Sequence, residues 1–224
     1  MRKIGIIVAD DGELAPFVEK LENADNIGYF GRSCYTFEVG GNTVILTHSG
    51  IGKVNAAAAA MFLHFNGCDT IFNYGYSGGI SGVSKGSIVI ADKFLEHDFD
   101  LVCLGYKLCQ KPGQEYIYSA DEHVTNMLKE IYPFAKVGLA VSGDCFVSDD
   151  TLRNTLKETF GAVSCDMETA AIASVCYQTG MKFACVRQIS DDAGDDAKDS
   201  YKQEACSGNI SLCDGILEII SKLN

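Results

Sequence analysis

The chain has 224 residues, 47% of them apolar, with 18 basic against 30 acidic side chains and a formal charge of −12. That is enough apolar material to bury a core, and we expect one domain over residues 1–224. The acidic balance repels phosphate backbones and anionic lipid surfaces, so neither nucleic acid nor a membrane is an expected partner.

In chain order, "KIGIIVA" (3–9) reads as a short buried strand. It meets Asp10 and Asp11 too soon to be an export or membrane segment; the cytoplasm is expected because the cysteines read as reduced. "ELAPFVEKL" (13–21) follows as a helix. "YTFEVGGNTVIL" (35–46) alternates about Gly40-Gly41, which predicts an antiparallel hairpin running on through "NTVILTHSG" (42–50). A helix over "KVNAAAAAMFLHFNG" (53–67) leads to strands at "TIFNYGYSGG" (70–79) and "SIVIADKF" (87–94). Then come a helix (121–132), a strand over "AKVGLAVSGD" (135–144) and a helix over "ETAAIASVCYQTG" (168–180). A strand over "MKFACVRQISD" (181–191) and a helix (209–224) close the chain. Alternating strands and helices, some strands apolar on both faces, predict an α/β fold with a mixed sheet covered by helices. The ten cysteines are scattered without a C-x-x-C pair and read as reduced core residues. The histidines, His48, His64, His97 and His123, lack metal-ligand spacing, so no metal and no cofactor is expected.

Ligands of such sheets gather at the carboxyl ends of strands. Standing there are Asp10 and Glu13, Gly50–Gly52, Gly75–Gly79, Ser142–Phe146 and Arg187–Asp191. Each has a plain structural reading as well. Gly50 and Gly52 before an Ala-rich helix fit either an anion-binding helix start or a tight turn, and the P-loop spacing is absent. "GYSGG" (75–79) fits a nucleophile elbow by spacing, but no histidine is placed to act as its base. Phe146 can stack on a base or pack in the core. Asp191 can cap a helix, and Arg187 with Asp191 can be a structural ion pair. "VSCDMETAAIASVC" (163–176) carries Asp166 and Glu168 at the entrance of an apolar helix. Ser164 as a cap and Asp166 on the helix dipole would explain one acid and leave the other over.

Taken in order, "IGII…E" (4–13), "SGIGKVNAAAA" (49–59), "N-x-G-x-x-GG" (73–79), "SGDCF" (142–146), "DMETAAIA" (166–173) and "RQISD" (187–191) resemble the 5′-methylthioadenosine/S-adenosylhomocysteine nucleosidases of the purine nucleoside phosphorylase-like superfamily. The likeness covers nearly the whole chain. It implies a three-layer αβα sandwich with a mixed central β-sheet, a homodimer, and hydrolysis of 5′-substituted adenosines to adenine.

The resemblance also implies roles. Glu13 activates the attacking water, Arg187 helps to hold it, and Asp191 protonates purine N7. Glu168 binds sugar hydroxyls, with Asp166 and Met167 in the same ribose pocket. Phe146 stacks on adenine and the Val147 backbone reads its edge. Ile51, Tyr76, Ser77, Gly78, Ser190 and Tyr201 complete the substrate pocket. Leu104 and Pro112, in "HDFDLVCLGYKLCQKPG" (97–113), match a wall contributed by the partner subunit.

Three positions depart from the family pattern: Tyr76 for a serine, Asp166 for a glutamate, and "VADDGEL" (8–14) for a glycine, a methionine and consecutive glutamates. All touch the pocket, and Tyr76 is expected to narrow the sugar side or the 5′ end. Two alternatives stay in view: a phosphate-dependent nucleoside phosphorylase and a non-catalytic nucleoside-binding protein of the same fold. A phosphorylase needs a cationic phosphate site. Arginine occurs only at Arg2, Arg32, Arg153 and Arg187, and of these only Arg187 stands in a pocket motif.

Overall fold

The computed structural model describes residues 1–21, 24–207 and 212–223. The first half runs β1 (Lys3–Val8), α1 (Asp11–Val18), β2 (Asp25–Asn26), β3 (Cys34–Val39), β4 (Asn42–His48), α2 (Lys53–Phe65), β5 (Thr70–Gly79) and β6 (Ile88–Glu96). The second runs β7 (Ile117–Ser119), α3 (Glu122–Ile131), β8 (Lys136–Ser142), α4 (Asp150–Phe160), β9 (Ser164–Asp166), α5 (Thr169–Thr179), β10 (Lys182–Asp191), α6 (Ala197–Ser207) and α7 (Leu212–Lys222). Residues 209–211 and 224, part of the expected last helix, lie outside the described residues.

The sheet is mixed. β1 pairs in parallel with β4 and β5, β5 with β10, β6 with β8, and β8 with β9, while β3–β4, β5–β9 and β6–β10 are antiparallel. β5 touches both β9 and β10, so β5, β9, β8, β6 and β10 close into a ring at one end. The expected hairpin is β3–β4, its turn made by Gly40 and Gly41 at φ +58° and +83°. Side chains other than glycine rarely adopt that left-handed geometry at two consecutive positions.

Helices cover both faces. Leu14 and Phe17 of α1, Val124 and Leu128 of α3, and Ile216, Ile219 and Ile220 of α7 pack on one side of β1, β4 and β5. Ala56, Ala59, Ala60 and Leu63 of α2 pack with Ala170, Ile172 and Ala173 of α5 on the other. Alanines at this seam let the two helices approach closely. Each fully buried isoleucine contributes about 1.5–3 kcal/mol. A third cluster holds α4 through Leu156 and, at its edge, Leu152 and Phe160.

Two local expectations change. Helix α1 begins at Asp11 rather than Glu13 and ends at Val18, because Asp10 caps it and places Glu13 at the third helical position. Ser164 does not cap the helix after it; it lies in β9, paired with Gly79 and Ala140. Asp166 takes that task, its Oδ1 accepting the N–H groups of Glu168 and Thr169, both at 3.0 Å.

Candidate active site

The ends of β1, β5, β8, β9 and β10 converge on a cavity of about 350 Å³, within the range of small-molecule sites. Its wall contains Glu13, Ile51, Tyr76, Ser77, Gly78, Phe146, Val147, Asp166, Met167, Glu168, Ser190, Asp191 and Tyr201. Ala9 and Cys165, which also line it, were not among the expected residues; Asp10 and Cys145, expected at strand ends there but given no role, line it too. For Asp10 a signal was present: Asp-x-x-Glu after a strand is a capping-box pattern.

That capping box sets Glu13. Asp10 accepts the Glu13 N–H at 2.9 Å, and Glu13 Oε2 accepts the Ala9 N–H at 2.7 Å. Glu13 Oε1 accepts the Tyr76 N–H at 2.8 Å. A carboxylate that only capped its helix would stand in solvent; Glu13 is 4% exposed and reaches across to β5. Burial pushes its pKa up to about 8, against the opposing pull of Arg187. Gly75 exists for this contact. A Cβ there would lie 2.0 Å from Glu13 Oε1 and 2.4 Å from Arg187 Nη1. The "GYSGG" glycine thus makes room for the Glu13 and Arg187 side chains within β5 rather than turning a nucleophile elbow.

Arg187 does not line the cavity. It is wholly buried beneath it. Its Nη2 donates to Asn73 Oδ1 and Thr169 Oγ1, both at 2.6 Å, and pairs with Asp166 Oδ2 at 3.2 Å. Nη1 stands 3.8 Å from Glu13 Oε1. Burial opposes the guanidinium charge, but Asp166 and the other nearby acids outweigh it and raise its pKa. Asp166 is similarly occupied. Besides its helix-capping bonds it accepts the Ser142 hydroxyl at 2.6 Å and meets Thr169 Oγ1.

Of the two acids in "DMET", Asp166 therefore works inward. Glu168 faces the cavity and accepts the Gly52 N–H at 2.9 Å on Oε1. Burial first, and then Asp166, raise its pKa. The N-terminus of α2 is thus taken by the protein's own anions, because Asp144 Oδ1 also accepts the Lys53 N–H at 2.8 Å.

Asp191 ends β10 just past a bulge at Ile189/Asp191. It is 2% exposed, and burial raises its pKa although Ser190 Oγ donates to Oδ2 at 2.7 Å and the Ala193 N–H donates to Oδ1 at 2.9 Å. A Cβ on Gly78 would lie 3.1 Å from Asp191 Oδ1. Ser77 Oγ is buried without a hydrogen-bond partner among the described residues.

Phe146 is half-exposed at the rim and meets the edge of Tyr201 at 5.6 Å between ring centroids. Tyr76 stands edge-on to Tyr201 at 6.4 Å, and its hydroxyl donates to the Glu204 carbonyl at 3.3 Å. The Tyr201 hydroxyl donates to Asp10 Oδ2 at 2.7 Å, so this position carries a polar contact as well as an apolar ring. Leu104 and Pro112 are not part of the cavity wall; both are exposed on the 97–113 segment. That segment is fixed beside the rim by Lys53 Nζ to Asp98 at 2.6 Å and by the Asp144 N–H to Asp98 at 2.9 Å.

The family model of the phosphorylase superfamily matches residues 3–218. The chain is 32% identical to the 5′-methylthioadenosine/S-adenosylhomocysteine nucleosidase of Oceanobacillus iheyensis over 227 residues, covering 98% of this chain and 99% of that protein. It is 34% identical to the nucleosidase of the same name from Halalkalibacterium halodurans over 230 residues, all of both chains. Among solved structures, the S-adenosylhomocysteine nucleosidase of Streptococcus pyogenes in complex with 5-methylthiotubericidin matches with a TM-score of 0.92 at 31% identity, over 100% of this chain and 98% of that one. With a full-length match in sequence and fold, this chain belongs to the 5′-methylthioadenosine/S-adenosylhomocysteine nucleosidase family of the phosphorylase superfamily.

Proposed function

We propose that this protein hydrolyses the N-glycosidic bond of 5′-methylthioadenosine, S-adenosylhomocysteine or related 5′-substituted adenosines and releases adenine. The observation that carries this reading is a pair of buried carboxyl groups, Glu13 and Asp191, both with raised pKa, on one cavity with Glu168. Glu13 packs against Gly75 and Asp191 against Gly78 of β5, and both carboxyl groups line the one cavity.

The C1′–N9 bond breaks and its electron pair passes to the purine, where Asp191 gives its proton to N7. Water attacks C1′ and yields a proton to Glu13. The products are adenine and a free 5-thiopentose. Glu168 accepts the sugar hydroxyls, Met167 packs on the sugar, and Phe146 with the Val147 backbone holds the base. Arg187 acts from behind, fixing Glu13 and Asp166.

Water, not phosphate, is the nucleophile in this reading. The α2 N-terminus is occupied by Glu168 and Asp144, and Glu13 in the ionised form that a base requires would repel a dianion. Arg32 packs its guanidinium against Gly50, nearer the site than its sequence context suggests, yet it is not part of the cavity wall. Purified protein should release adenine from methylthioadenosine in phosphate-free buffer, with no sugar 1-phosphate when phosphate is added. A strict phosphate requirement would move it to the phosphorylase branch. Binding without any turnover would make it a nucleoside-binding protein.

We further propose a homodimer formed through the rim. Ile51, Val54, Val102, Leu104 and Phe146 are exposed apolar side chains on and around the 97–113 segment, beside the cavity mouth. A second copy seated there would cover them, with Leu104 and Pro112 against the partner's cavity. Sedimentation velocity should give about twice the chain mass, and Leu104→Glu should shift it toward monomer; a native monomer at micromolar concentration refutes this arrangement. The described cysteines are all free thiols, and among the described residues no helix is long and apolar enough to cross a membrane. We assign the protein to the cytoplasm, where thiols stay reduced.

A further inference from the structure

Asp10 lines the cavity next to Glu13, and capping uses only one of its oxygens. An N-cap needs a single acceptor for the N–H two or three residues on. The other oxygen, Oδ2, is held by the Tyr201 hydroxyl from α6 at 2.7 Å. Burial raises the phenol pKa of Tyr201, and the bond to Asp10 adds to it, so Tyr201 remains a donor. Both partners of Asp10 are therefore neutral groups, and its charge stays on the cavity wall.

Where it stands follows from the nucleosidase reading, on which this inference rests. The purine lies between Phe146 and Asp191, and the sugar lies on Glu168 and Met167. On that reading Asp10, Ile51 and Tyr201, which line the same cavity and hold neither base nor sugar, are left to face the 5′ substituent. A simple alkylthio group there would desolvate the Asp10 carboxylate and return nothing to it. An ammonium or other strong donor would pair with it.

We propose that Asp10, oriented by Tyr201, is a specificity-determining residue at the 5′ end of the cavity, favouring 5′ substituents that carry a cation or a hydrogen-bond donor over uncharged alkyl ends.

The test compares 5′-amino-5′-deoxyadenosine, whose amine is protonated near neutral pH, with 5′-deoxyadenosine. The native protein should prefer the amine in kcat/KM, chiefly through KM. Asp10→Asn keeps the N-cap acceptor and turns its amide NH2 toward the Tyr201 oxygen, which can accept from it, but removes the charge. It should reduce the preference about tenfold, the scale of a partly screened ion pair. Tyr201→Phe keeps the charge and should keep most of the preference. An unchanged ratio in Asp10→Asn, or a native preference for 5′-deoxyadenosine, overturns the proposal. The same ratio is read from binding by calorimetry. If methylthioadenosine also gives no adenine, the nucleosidase reading fails, and the calorimetric ratio still decides the role of Asp10.

Discussion

Asp191→Asn is expected to lower kcat for adenine release by about 10²–10⁴-fold, the usual worth of a positioned general acid. KM should stay within about threefold, because the lost interaction belongs to the transition state. The physical case rests on where Asp191 sits. Burial raises its pKa and so favours the protonated form that can serve purine N7. The asparagine fits the same place. Its carbonyl keeps the bond from the Ala193 N–H, and Ser190 can turn its hydroxyl to accept from the new amide instead of donating. Substrate thus still binds, but the departing purine receives a hydrogen bond from a very weak acid. An unchanged melting temperature separates this from misfolding. Near-native kcat in a folded Asp191→Asn protein would remove Asp191 from the mechanism.

Much of this site is written locally. Strands end where Gly, Ser and Asp interrupt apolar runs, so Glu13, Ser77, Phe146 and Asp191 could be placed at one end of the sheet from the sequence, whereas Glu168 was read only at a helix entrance. What could not be read is division of labour between neighbours. Asp166 and Glu168 look alike in "DMET", yet one turns inward to Ser142, Thr169 and Arg187 and the other faces the cavity; only the register of β9 against β8 decides which. Arg187 likewise looks like a site residue and proves to be its foundation. The helix α6 was missed because "AKDSYKQEACS" has no apolar stripe; Tyr201 reaches the site through a bond to a residue 191 positions away, which no local pattern encodes. Helix α4, also absent from the expected elements, carries a clearer signal, since Leu152, Leu156 and Phe160 recur at the spacing of one helical face. The closure of β5 onto both β9 and β10 is non-local pairing, invisible to periodicity.

Glu13→Gln should lose hydrolysis to a comparable extent, but with a different pH signature. In the native protein burial holds the Glu13 pKa at about 8, so below that pH the ligand-free enzyme carries a proton on its base. Activity that needs Glu13 ionised must rise with pH, with kcat/KM climbing toward a plateau above about 8. Asp191 acts in the opposite sense, since its proton is needed and is lost as pH rises. The native profile is a product of the two limbs, and the variants take it apart. Glu13→Gln should remove the rising limb, leaving a low rate that only falls with increasing pH. Asp191→Asn should leave the rising limb in place. Glutamine at this position keeps the capping-box spacing, but its amide must face either the Ala9 or the Tyr76 N–H, where the carboxylate accepted from both. One backbone donor is then unsatisfied, at about 1–3 kcal/mol, so a lower melting temperature is expected alongside the kinetic loss. The two effects separate when the folded fraction is read by circular dichroism at each pH: a stability defect lowers that fraction, whereas loss of the base erases one limb of the rate per folded molecule. A Glu13→Gln protein that retains a limb rising through pH 8 would show that another group takes the proton from water.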